Sequence, residues 1–127
     1  VTTPELGDPP DATTYEICVF DDQSGAPHLA LDARIPAGAG WRRTAHRLAF
    51  RDATAANGGI RSLKFKTGAS NGSIRLRGAG LNLPTPQLPL TLDPQVRVQI
   101  GNGTACWEAD FSRTQRNRSR RFRARSD

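Results

Sequence analysis

The sequence predicts an all-β chain, an antiparallel β-sandwich of about eight short strands, with a β-barrel as the alternative. Three observations carry this prediction. Apolar residues recur at every second position in several short runs, the period of a half-buried strand. Each run is bounded by Gly, Pro, Asn or Asp, and 12 Gly with 9 Pro in 127 residues favour turns over helices. No segment carries the helical period.

Residues 1–14, with Pro4, Pro9 and Pro10, read as an extended leader or linker, and residues 15–127 as the sandwich domain. The first strand runs from Tyr15 to Phe20 and ends in the turn Asp21-Asp22-Gln23-Ser24-Gly25. The second covers His28 to Ile35, where Leu29, Leu31, Ala33 and Ile35 alternate. A glycine-rich loop with Gly38 and Gly40 passes through Trp41 to a third strand, in which Leu48 and Phe50 share a face. Asn57-Gly58-Gly59 turns the chain into Ile60 to Lys66.

The strictest alternation pairs Leu63-Lys64-Phe65-Lys66 with Ile74-Arg75-Leu76-Arg77 as a hairpin. Leu63, Phe65, Ile74 and Leu76 face the core, and Lys64, Lys66, Arg75 and Arg77 face water. Residues 81–90 carry three prolines and read as an extended crossing. Val96, Val98 and Ile100 form a strand, Asn102-Gly103 turns it into Cys106 to Phe111, and Phe122 with Ala124 marks the last strand.

No run approaches the ~20 apolar residues of a membrane-spanning helix, and the first residues lack the pattern of an export signal. The net charge of +6 is unevenly placed: residues 1–33 hold seven acids and no Lys or Arg, while residues 113–125 hold seven arginines and no acid. Either the acidic start lies across the basic end, or a basic patch meets an anionic polymer. Two cysteines with 87 residues between them match no metal knuckle or redox pair. Cys18 and Cys106 each sit in an apolar strand, so pairing is favoured over two separate thiols, and in the chain-entropy model the bridge would contribute about 4–5 kcal/mol.

The order of Tyr15-Glu16-Ile17-Cys18-Val19-Phe20-Asp21, residues 59–66, residues 77–83, Cys106-Trp107-Glu108-Ala109 and residues 122–127 resembles the C-terminal all-β module of large secreted bacterial proteins. The resemblance covers residues 15–127 and implies export and an accessory position, without implying a ligand. Members of that family often carry a further cysteine pair beside the tryptophan matching Trp41, where this chain has Gly38-Ala39-Gly40.

His28 and His46 lie in no hydrolase or metalloprotease motif, so no catalytic or metal site is expected of them and no cofactor is implied. Asp21-Asp22 offers oxygen ligands for Ca²⁺ without the spacing of an EF-hand, and reads as a turn. Glu108 and Asp110 share a strand face about 6–7 Å apart, a separation glycosidases use, but neighbouring arginines are expected to neutralise them. Asn71-Gly72-Ser73, Asn102-Gly103-Thr104 and Asn117-Arg118-Ser119 match the glycosylation sequon and read as turns. Trp41 is the one aromatic expected at the surface, where it could stack on a ligand.

The reading is therefore a non-catalytic accessory or structural module of a secreted or cell-surface protein, acting in anchoring or assembly. Its partners would be other domains of a larger precursor or copies of itself. One alternative is a domain that binds acidic polysaccharide or nucleic acid through Lys64, Lys66, Arg75, Arg77 and Trp41. Another is a fibre subunit whose leader lies along the sheet edge of the next copy.

Overall fold

The computed structural model of this chain describes residues 4–23, 26–68, 72–80, 82–83, 95–118 and 121–126. They contain ten strands: β1 (Tyr15–Gln23), β2 (Ala26–Ile35), β3 (Trp41–Thr44), β4 (Arg47–Arg51), β5 (Ile60–Lys66), β6 (Ser73–Gly78), β7 (Val96–Gly101), β8 (Cys106–Phe111), β9 (Thr114–Arg118) and β10 (Arg121–Ala124). Antiparallel pairing arranges them in three sheets, ordered β2-β1-β7-β8, β3-β4-β5-β6 and β10-β9. None closes into a barrel, so the all-β sandwich class holds and the barrel alternative does not. The two strands beyond the expected eight are β3 and β9. The four residues of β3 are too few to show a period, and Thr114-Gln115-Arg116-Asn117-Arg118 has no apolar residue to alternate.

The chain divides into two compact units, Val1–Glu16 with Ala33–Pro84 and Gly101–Ala105, and Ile17–Asp32 with Thr85–Ile100 and Cys106–Asp127. In the first unit the β3–β6 sheet turns Trp41, Leu48, Phe50, Leu63 and Phe65 to one buried face. Register enforces this, because Trp41 pairs with Phe50, Phe50 with Leu63, and Leu48 with Phe65. Tyr15, at the start of β1, packs onto that face with its ring centroid 5.0 Å from Trp41 and 5.3 Å from Phe65. Phe50 completes the cluster 5.3 Å from Trp41. Tilted aromatic pairs at such spacings add to the area they bury.

Residues 4–14, expected as an extended leader, contribute to this unit's core through Leu6, which is 2 % exposed, and Pro9. Three side chains hold three successive carbonyls of the segment. Asn102 Nδ2 donates to Glu5 O at 2.7 Å, Tyr15 Oη donates to Leu6 O at 2.7 Å, and the Arg43 guanidinium donates to Gly7 O. Burial pushes the Tyr15 hydroxyl above its ordinary range, with Asn102 and the Arg43 charge pulling the other way.

The turn Asn57-Gly58-Gly59 forms as expected, with Ile60 N donating to Asn57 O and both glycines at positive φ. Gly59 is required twice over, since its φ is +78° and a Cβ there would collide with the Leu83 backbone. Asn102 caps the β7–β8 turn by accepting from Thr104 N and Ala105 N. Asn102 is buried, and its amide donates to Glu5 O, so this sequon serves as a turn.

In the second unit Ile17, Leu31, Val96 and Ile100 are buried. The expected bridge between Cys18 and Cys106 is absent. β7 lies between β1 and β8 in the sheet, so the two cysteines are two strand spacings apart, about 9.6 Å, beyond the reach of a disulfide. Cys18 instead lies 3.9 Å from Asp32 Oδ1 on β2, and Cys106 is exposed. The apolar neighbours that suggested pairing place each cysteine in the sheet without bringing them to adjacent strands.

Two outcomes are expected. Both cysteines should take up iodoacetamide when the non-reduced chain is unfolded, and an intact mass showing no adduct would contradict the structure. Phe65→Ala should cost about 3–5 kcal/mol in denaturant melts, and Leu76→Ala well under that, since Phe65 is fully buried and Leu76 only half-buried. Equal losses would mean that Leu76 is as deeply packed as Phe65, against the burial described.

Candidate functional site

Strand parity fixes the outer face of the β3–β6 sheet. With Trp41, Leu48, Phe50, Leu63 and Phe65 turned inward, the intervening residues must point out. They include Thr44, Ser62 and Ser73, together with Arg42 on β3, Arg47, Ala49 and Arg51 on β4, Lys64 and Lys66 on β5, and Arg75 and Arg77 on β6. All seven cations are exposed. No acid lies among the outward residues, and among the described residues no ion pair reaches any of the seven.

Register arranges the charges around Ala49. Arg42 and Lys64 flank it on the neighbouring strands, each about 4.8 Å away across the sheet. Arg47 and Arg51 flank it along β4, each about 6.8 Å away. These four cations, with Ala39, Gly40 and Ala49, line a depression of about 420 Å³. Gly40 belongs there for a packing reason, because a Cβ would come within 2.6 Å of the Phe50 ring. A floor of small side chains ringed by long cationic ones suits a compact oxyanion group, which guanidinium forks can hold by paired hydrogen bonds.

Lys64 stands directly opposite Arg75, so like charges meet across the strands. Such a pair weakens a sheet by roughly 0.2–1 kcal/mol. Lys66 instead faces Ser73, and Arg77 faces Ser62. The four cations expected to share the outward face do share it. Arg42, Arg47 and Arg51 extend it, and the sequence signal for two of them was the alternation Arg47-Leu48-Ala49-Phe50-Arg51.

Trp41 is not part of this face. It is 4 % exposed, its Nε1 donates to Pro36 O at 3.2 Å, and it stacks in the core, so the expected surface platform is corrected to a core residue. A tryptophan that follows Gly38-Ala39-Gly40 reads as a loop residue until the partner strand β4 is seen beside it.

The other candidate residues are engaged elsewhere. Asp110 accepts from Arg97 Nε at 2.8 Å and Nη2 at 3.2 Å, and Glu108 accepts from Gln99 at 2.6 Å. Arg97 also lies 3.4 Å from Glu108, so the two carboxylates share a cation as expected. Asp21 is buried and bonded to His28 Nδ1 at 2.9 Å, while the rest of that turn's side chains lie outside the described residues. Asn71 and Ser119 of the remaining sequons, and most of the proline-rich crossing, also lie outside them.

No family model, curated protein or solved structure matches this chain.

The Arg97 hydrogen bonds hold the Asp110 carboxyl below the ordinary carboxylate range, against some desolvation. A carboxylate whose folded pKa is depressed stabilises the fold above its unfolded value and loses that contribution as pH falls through the folded one. The melting temperature should therefore drop below about pH 4, and Asp110→Asn should flatten that limb. An acid limb identical in wild type and variant would remove Asp110 from the account.

Proposed function

We propose that this chain is a non-catalytic accessory module that binds a linear polyanion on the outer face of the β3–β6 sheet. One observation carries the reading: seven exposed cations lie on one sheet face with no acid among them. Cations so gathered raise the local concentration of polyanions and release their counterions on binding. Arginine in five of the seven places favours phosphate, sulfate or carboxylate groups.

The non-catalytic part of the proposal is supported by the engagement of Glu108 and Asp110 with Arg97. An accessory position in a larger exported protein is the setting implied by the resemblance of the strand motifs to modules of that kind. Assembly into a fibre through the leader has less support, since Leu6 and Pro9 are already buried in their own unit.

The test is retention on heparin and on immobilised DNA, which separate a sulfated polysaccharide from a nucleic acid as the polymer held. Affinity should fall about a hundredfold between 50 and 200 mM salt if some four anionic groups are contacted. Lys64→Glu with Arg75→Glu should lower it at least tenfold at low salt. A wild-type chain that passes unretained through both matrices at low salt would overturn the proposal.

A further inference from the structure

The second unit carries a basic surface of a different build. β9 and β10 form a two-stranded ribbon in which Arg118 stands opposite Arg121, and Arg116 opposite Arg123. All four are exposed, whereas Asn117 and Phe122, paired between them, are half-buried on the other face. The register shifts between Arg123 and Ala124, which pairs Ala124 with Thr114, and both of these are also half-buried. The ribbon thus has a covered side and an outer side made of arginine.

Two directly opposed like-charge pairs oppose strand pairing, and a two-stranded ribbon has little stability to spare. Threonine or valine at these positions would favour the same hairpin. Residues 113–125 nonetheless hold seven arginines, no lysine and no acid. The cost to the hairpin is accounted for if the arginines meet a partner outside the chain.

We propose that the outer face of the β9–β10 ribbon binds duplex nucleic acid by lying in its major groove. A groove about 12 Å wide admits a two-stranded β-ribbon, whose strands are about 4.8 Å apart. Guanidinium forks can then reach phosphate oxygens on the walls and guanine edges on the floor. Single strands and neutral sugars are held largely by stacking on exposed aromatic rings. Among the described residues every Phe, Tyr and Trp side chain is buried or half-buried, and Leu29 is the large hydrophobic side chain that is exposed. The ribbon is left with charge and hydrogen bonding, the means by which a duplex is recognised. This inference rests on the ribbon alone and not on the β3–β6 face.

The experiment measures binding of a fluorescent 20-base-pair duplex by anisotropy at several salt concentrations. All proteins carry Lys64→Glu and Arg75→Glu, which weakens binding by the β3–β6 face, and the ribbon's share is read as the difference that its own substitutions make. Adding Arg116→Thr and Arg123→Thr should weaken binding at least tenfold at 50 mM salt. It should also reduce the slope of log K against log salt by about 1.8, the value for two lost phosphate contacts. The melting temperature should stay the same or rise, because an opposed pair has been removed. Arg116→Lys with Arg123→Lys, which keeps the charge, should retain the slope and lose affinity severalfold. Duplex affinity unchanged by the threonine pair would overturn the proposal. So would full affinity in the lysine pair, or a single strand or heparin bound more tightly than the duplex.

Discussion

Tyr15 is the contact on which the first unit depends. Its ring lies against Trp41 and Phe65 while its hydroxyl holds the Leu6 carbonyl, so one side chain joins the start of β1, the β3–β6 sheet and the N-terminal segment. Trp41, Phe50 and Phe65 lie on three adjacent strands, and each must turn inward to reach this cluster. Strand geometry leaves no freedom after that, because a shift of one residue would exchange the two faces.

The charged surface is a consequence of the same constraint. Once Phe50 and Leu48 are inside, Arg47, Ala49 and Arg51 are outside, and the neighbouring strands add Arg42, Lys64, Lys66, Arg75 and Arg77 in register. Core and basic face are two sides of one alternation. Hydrophobic burial on the inner side is worth about 1.5–3 kcal/mol per large side chain, against roughly 0.2–1 kcal/mol for each opposed pair outside. The sheet can therefore carry a repulsive face. In the β9–β10 ribbon the balance is tighter, since only Phe122, Ala124 and their partners are half-buried beneath the arginines.

Much of this architecture was legible in the sequence where alternation was strict. The hairpin of residues 63–77 reads directly from Leu63-Lys64-Phe65-Lys66 and Ile74-Arg75-Leu76-Arg77, and the Asn102-Gly103 turn from its own chemistry. Polar β9 was not legible because nothing in it alternates, and Trp41 was misplaced because its pairing with Phe50 is a contact across the sheet. The disulfide failed for a related reason. Apolar surroundings mark Cys18 and Cys106 as strand residues, but strand order decides which strands are adjacent, and β7 stands between them. Of the basic face, the part within one hairpin was visible, and its extension over β3 and β4 required the sheet.

If the cations of the β3–β6 face repel one another and serve an anionic partner, the wild-type sheet gives up stability that a charge reversal restores. The most direct measurement is the low-salt melting temperature of Lys64→Glu beside that of the wild type, with and without added polyphosphate. Without the anion the variant should melt higher, because the introduced carboxylate would face Arg75 as an opposite charge. Polyphosphate should raise the melting temperature of the wild type more than that of the variant. A variant that melts lower than the wild type in the absence of anion, with no rise on adding it to either protein, would contradict the account.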